Sequence, residues 1–316
     1  MDEFALIRQY FAALTPARAD IPLGIGDSAA LLAPTAGEEL AVSTDTLIAG
    51  RHFPDHTAPA DIGWKALAVN LSDLAAMGAE PWAFTLALSL PTADPAWLQA
   101  FADGLGALAR SAGIALIGGD TTRGPLAITI TVMGRVPAGQ ALRRSGAKPG
   151  DIVCVTGTLG DAALGLRHAE ARDAGADVAW LQARLHRPTP RLAAGHALRG
   201  LAHAAIDLSD GLAGDLAHVL AASGVGADLR DDLLPSSAAF DAQAAPAERL
   251  ALQACGGDDY ELCLCILPEL VADAIAACAP LPLTVIGRVA REPGLRFRRA
   301  SGAIIALPAS GYRHFP

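Results

Sequence analysis

Apolar positions along this chain recur at two spacings that alternate, one suited to strands and one to helices. Glu38–Thr44 alternates and predicts a strand. Ile62, Ala66, Val69, Leu74 and Met77 recur at helical spacing, so 60–77 predicts a helix that Gly78 ends. Trp82–Leu90, between Pro81 and Pro91, predicts a strand, and 95–111 a helix stopped by Gly113. Ile114–Ile117 reads as a short strand and Leu126–Val136 as a longer, β-branched one.

The polar stretch 137–151, PAGQALRRSGAKPGD, interrupts the pattern and marks a boundary. Two domains are expected, 1–140 and 141–316. In the second, strands are predicted at 152–156, 204–208, 261–267, 283–289 and 295–298. Helices are predicted at 159–172, 191–198, 210–223 and 268–278. Both halves are therefore mixed α/β.

Composition narrows the function classes. Hydrophobic residues make up 52% and the mean hydropathy is +0.34. The longest apolar runs are still far short of the roughly 18–20 residues that span a bilayer. No membrane association is expected. The opening MDEFALIRQYF is acidic and amphipathic, unlike a signal or transit peptide, so a cytoplasmic location is expected. A formal charge of −9 without a basic tract argues against a nucleic-acid partner. Cys154, Cys255, Cys263, Cys265 and Cys278 form no CxxC pair and read as buried reduced thiols.

The chemistry-bearing feature is a set of aspartates beside glycines and hydroxyls. Asp27 follows Gly24-Ile25-Gly26. Asp45 follows Ser43-Thr44 at the end of the first strand, and Asp73 lies inside a helix. Asp120 follows Gly118-Gly119, directly after a strand. Asp207 and Asp210 flank Leu208-Ser209, and Asp258-Asp259 follows Gly256-Gly257. Any one of these could simply cap a helix or close a turn. An interior helical Asp73 caps nothing, and six clusters of one composition suit several Mg²⁺ ions, which take oxygen ligands.

Walker A, kinase and dinucleotide glycine motifs are absent, as is a GxSxG nucleophile elbow. With Lys65 and Lys148 the only lysines, aspartate-held metals would have to neutralise phosphates, helped by arginines such as Arg143 and Arg144. The alternative for that arginine pair is a solvated linker. His52 and His314 each precede Phe shortly after a glycine, and each is either a surface residue or functional.

GIGDSA, STDTL, GxHF, VNLSDLAAMGA, GGDTT, RSGAKPGD, IDLSDGL, GGDDYEL and GYRHF occur in this order over nearly the whole chain. Together they resemble the thiamine-monophosphate kinase family, within the superfamily of aminoimidazole ribonucleotide synthetase. The resemblance implies a two-domain PurM-like α/β (α+β) fold, its N-terminal sheet pairing with a twin in a homodimer. It implies transfer of phosphate from ATP to thiamine monophosphate, directly and without a phosphoenzyme.

By resemblance, Asp27, Ser43, Thr44, Asp45, Asp73, Asp120, Asp207 and Asp210 are metal ligands. Gly119, Asp120, Arg144 and Ser209 contact ATP, and His52, Asp258 and Tyr312 face the substrate. One departure stands out: Asp258 replaces the family's usual Glu and is one methylene shorter. No side chain is expected to act as general base. The resemblance leaves two rivals open, a synthetase of the same superfamily and a non-catalytic nucleotide- and metal-binding dimer. Selenophosphate synthetases, with an early reactive Cys, fit less well because no Cys precedes Cys154.

Overall fold

The computed structural model describes residues 3–171 and 175–307. The chain divides into two compact units, 1–74 with 79–139, and 75–78 with 140–316.

In the first unit, α1 (Glu3–Leu6) and a π-helical turn (Ile7–Phe11) precede β1 (Glu38–Ile48). Next come α2 (Pro59–Ala76), β2 (Glu80–Leu90), α3 (Pro95–Ala112), β3 (Ala115–Arg123) and β4 (Ala127–Pro137). The sheet order is β1-β4-β2-β3, with β2 and β3 parallel and the other neighbours antiparallel. Pro81 sits at a register shift of β2, the kind of irregularity at which a strand tolerates proline. Helix α3 is capped at both ends, Gly113 being the stop its sequence predicts. Asp94 accepts from the N–H groups of Ala96 and Trp97, and Gly113 closes the helix at φ 66°. Helices α2 and α3 meet through glycines, since a Cβ on Gly104 would lie 1.9 Å from the Ala60 carbonyl oxygen. Leu67, Leu71, Trp82, Phe84, Leu88, Leu98, Phe101 and Leu105 are fully buried. Each such side chain contributes about 1.5–3 kcal/mol.

The second unit adds β5 (Ile152–Thr156), α4 (Asp161–Arg167), α5 (Ala176–His186), α6 (Leu192–Ala197), β6 (Ala202–Asp207) and α7 (Leu212–Ser223). It continues with β7 (Gly226–Arg230), α8 (Ala238–Gln243), α9 (Arg249–Cys255), β8 (Leu262–Ile266), α10 (Val271–Cys278), β9 (Leu283–Ala290), β10 (Gly294–Arg298) and β11 (Ile304–Ile305). Among the described residues its sheet runs β11-β10-β7-β9-β5-β8-β6. Val153, Val155, Cys263 and Cys265 share one core cluster. The five cysteines are thiols rather than disulfides, and four of them are buried. Burial pushes Cys154 and Cys265 up to about 12 and raises Cys263, so these sulfurs stay protonated packing groups.

Several expected bounds shift. Strand β1 runs on to Ile48 because Thr46 and Ile48 still pair with β4, so Asp45 lies inside the strand rather than at its end. Strand β3 continues to Arg123 because β2 pairs with it throughout, so Asp120 is likewise in the strand. The helix expected over 159–172 stops at Arg167. The first turn of the helix expected at 268–278 is a 3-10 turn. Elements α5, β7, α8 and α9 carry no clear periodicity and were not expected.

Candidate functional site: two carboxylate clusters

In the first unit, β1 and α2 bring Ser43, Asp45, Asn70 and Asp73 together. The Ser43 hydroxyl donates to Asp73 Oδ2. Asn70 is fully buried. Its amide donates to the Ala66 carbonyl at 2.9 Å while its Oδ1 accepts the Asp45 N–H at 3.1 Å. Asn70 thus fixes the strand at Asp45, a role the sequence reading did not assign it. Thr44 Oγ1 lies 2.8 Å from Thr131 Oγ1 on the neighbouring strand.

Asp27, Gly119 and Asp120 line a second feature, a cavity of about 730 Å³ with Arg8 and Thr85 also in its wall. Asp27 is exposed and accepts the N–H of Ser28 at 2.7 Å. Gly119 has φ 150°, and a Cβ there would lie 1.8 Å from the Leu86 carbonyl oxygen. Only glycine lets β3 approach β2 this closely. Across the sheet, Asp45 pairs with Ile130, Ile130 with Leu86, and Leu86 with Gly119. Three strand spacings, about 14 Å, therefore separate Asp45 from Gly119 along one row.

His52 is half-buried in the loop after β1. Its Nδ1 accepts the Ile48 N–H at 3.0 Å, so its ring proton sits on Nε2.

In the second unit, Asp207 ends β6 and is 6% exposed; Ser209 and Asp210 form the turn into α7. The 257–261 segment lies against this turn through backbone bonds. Asp258 N–H donates to the Ser209 carbonyl, and Tyr260 N–H to that of Leu208, both at 2.8 Å. Arg144 is exposed, on a segment that is docked rather than a free linker. The Ala205 N–H donates to the Arg143 carbonyl at 2.8 Å, and Ser223 Oγ accepts the Gly146 and Ala147 N–H groups. Asp207, Ser209 and Asp210 thus share the turn between β6 and α7, with Asp258 bonded against it, while the Arg143-Arg144 segment is fixed beside Ala205 and Ser223, the last residue of α7.

Asp258 has φ 70°, and its Oδ1 accepts the Tyr260 hydroxyl at 3.1 Å. Asp tolerates left-handed backbone better than most residues, so the shorter side chain suits this turn. Tyr312 and His314 lie outside the described residues.

Behind these loops lie buried ionisable groups, of which the sequence reading singled out only Asp259, within one of its six carboxylate clusters. Glu261 is fully buried and accepts from Thr156 Oγ1, Arg184 and Arg191. Asp259 accepts the Gly160 N–H. Burial raises its carboxyl well above the usual range, against the opposing pull of that bond and of Arg184. Asp215, 4% exposed, accepts the N–H groups of Asp210 and Gly211. Burial, with the charge of Asp210 added, lifts it to about 7 against those bonds.

Among the described residues, no three His, Cys, Asp or Glu side chains converge as a ready-made metal cage. The donors present are nonetheless all carboxylate and hydroxyl oxygens. Mg²⁺ usually takes only one or two protein carboxylates, with waters and substrate phosphates completing its shell, so this donor set fits that ion.

The fold is that of the AIR synthase related proteins. The family's N-terminal domain matches residues 26–136 and its C-terminal domain residues 148–299. The thiamine-monophosphate kinase of Salmonella typhimurium is 49% identical over 320 residues, covering 99% of this chain and 98% of that protein. The crystal structure of thiamine-monophosphate kinase from Stenotrophomonas maltophilia K279a is 51% identical, with a TM-score of 0.88 over 94% of this chain and 96% of that one. A structure of AaThiL complexed with AMPPCP and TMP is 28% identical, with a TM-score of 0.80 and 89% coverage of both chains. The chain belongs to the thiamine-monophosphate kinase family. No helix among the described residues is long and apolar enough to cross a membrane.

Proposed function

We propose that this chain is an ATP-dependent kinase that transfers the γ-phosphoryl group to thiamine monophosphate, giving ADP and thiamine diphosphate. The observation that carries the reading is near-full-length identity of 49% to a thiamine-monophosphate kinase. AaThiL, complexed with AMPPCP and TMP, supplies the substrate pair.

Asp27, Ser43, Thr44, Asp45, Asp73, Asp120, Asp207 and Asp210 would hold Mg²⁺. When bound, the ions would align the two phosphate-bearing substrates and absorb their charge. Gly119, Arg144 and Ser209 would contact ATP. The close approach of β3 to β2 at Gly119 leaves its backbone bare of any side chain. Arg144, exposed on a docked segment, is free to pair bidentately with a phosphate.

His52, Asp258 and Tyr312 would face thiamine monophosphate, His52 through its Nε2–H. The acceptor phosphate is largely ionised at pH 7, with a second pKa of about 6, so no general base is needed. Transfer would be direct and in line, and catalysis would rest on positioning and electrostatics.

Residues 1–140 would carry most metal ligands and the dimer contact, and 141–316 would complete the nucleotide and substrate sites. A homodimer is supported by strand β1, which exposes Leu40 (53%), Val42 (57%) and Ile48. Such a stripe on an edge strand calls for a partner.

The test is ADP release with thiamine, thiamine monophosphate and aminoimidazole ribonucleotide precursors compared side by side. Turnover only with the monophosphate is expected. Turnover with an aminoimidazole precursor instead would overturn the assignment.

A further inference from the structure

The turn Leu208–Gly211 is held from two sides. On one side the 257–261 segment lies against it through the backbone, including the Leu208 N–H donating to the Glu261 carbonyl at 2.8 Å. On the other, Asp215 turns back from the start of α7. Its Oδ2 accepts the Asp210 N–H at 3.0 Å and the Gly211 N–H at 3.0 Å. Both donors precede the helix and would otherwise lack a helical acceptor. Asp215 is 4% exposed, so water offers little substitute. The sequence reading gave Asp215 no role, and it faces neither substrate in the proposed scheme.

We infer that Asp215 is a positioning residue, whose carboxylate fixes the backbone of Asp210 and Gly211 and so aims the Asp210 side chain at its cation. The inference rests on the proposed role of Asp210 as a metal ligand. Asp215 acts through the backbone and touches no reacting atom. What it supplies is acceptance of two hydrogen bonds, which an amide oxygen in the same place also provides.

Three variants of the full chain separate the possibilities: Asp215→Ala, Asp215→Asn and Asp210→Asn. Two readouts are taken: hydrogen exchange of the Asp210 and Gly211 amides in metal-free protein, and the Mg²⁺ concentration for half-maximal binding of AMPPCP by calorimetry. Asp215→Ala should speed exchange of both amides and raise the Mg²⁺ requirement by about tenfold, the range for losing a group that orients a metal ligand. Asp215→Asn should restore both readouts to within about threefold of the parent, below that range. Should Asp215→Ala not fold, the exchange and Mg²⁺ behaviour of Asp215→Asn still decides. Loss of amide protection in Asp215→Asn, or a Mg²⁺ requirement raised about tenfold, overturns the acceptor role. A raised requirement in Asp210→Asn with none in Asp215→Ala overturns this inference alone. An unchanged requirement in Asp210→Asn removes the metal-ligand reading, and this inference falls with it.

Discussion

Replacing Glu261 tests whether the buried ion network or the apolar core holds the loop before β8 in place. Glu261 is fully buried, and its partners Arg184 and Arg191 have side chains only 10% and 16% exposed. Glu261→Ala removes the acceptor for both guanidinium groups and for the Thr156 hydroxyl. Arg184 keeps the Asp259 carbonyl at 3.1 Å and Asp161 at 3.9 Å, so it is not stripped of every partner. Breaking a buried pair by deleting one member costs about 3–5 kcal/mol. With that residual support the expected loss is about 4 kcal/mol. Glu261→Gln keeps the volume and one acceptor but loses the charge, so a smaller loss of about 2 kcal/mol is expected, as for a hydrogen bond to a charged group.

Urea unfolding followed by circular dichroism is the assay. Two units permit two transitions, so the loss should fall on the unit that contains β8. A loss below about 1 kcal/mol in Glu261→Ala would place the pair in the range of exposed ion pairs. The reasoning would then be refuted, and apolar packing alone would hold strand β8 and the loop before it.

Three further outcomes are expected. Asp73→Asn should lower kcat roughly a hundredfold at saturating Mg²⁺, the scale of losing one preorganised electrostatic contact, with an unaltered circular dichroism spectrum; near-normal kcat would remove Asp73 from the site. Val42→Asp should put a charge into the exposed stripe of β1 and yield monomers in light scattering, whereas an intact dimer would place the interface elsewhere. Asp20 lies below the ordinary 3.8 chiefly through its hydrogen bond from Arg18. Its contribution is therefore present above pH 3.8 and disappears as pH falls through its lower folded value. Asp20→Asn should cost under about 1 kcal/mol at pH 7 and progressively less as the carboxyl protonates in acid, and a cost that does not fall with pH would contradict this sign.

Elements whose faces differ strongly were legible from the chain alone. Helix α3 and strand β4 show their periods because one face is buried and the other is not, whereas α2 keeps a helical spacing although it is buried nearly all round. Strand β3 was cut short for a specific reason. Gly118-Gly119 reads as a strand end, yet Gly119 pairs with Leu86 because the missing side chain lets the two backbones touch. Helix α5 was missed because the face bearing Arg184 looks polar. That arginine points inward only because Glu261, far along the chain, waits there. Neither residue's neighbours in sequence announce the pairing.

The same limit applies at the candidate site. Aspartates beside Gly and Ser stand out by composition, and Asp73 by its place inside a helix. Asn70, Asp215 and Glu261 do not, because each acts on backbone or charge brought near by folding. Asp258 shows where the two kinds of information meet. As a sequence change it is only a Glu shortened by one methylene. At φ 70° it is also a residue whose short side chain eases left-handed backbone and whose carboxylate receives the Tyr260 hydroxyl. In the proposed substrate site the shorter side chain would reach less far, while at this backbone conformation it suits the turn. The neighbouring Asp259 and Glu261 are anchored to Gly160, Arg184 and Arg191, which ties the segment after Asp258 to the buried side of the unit.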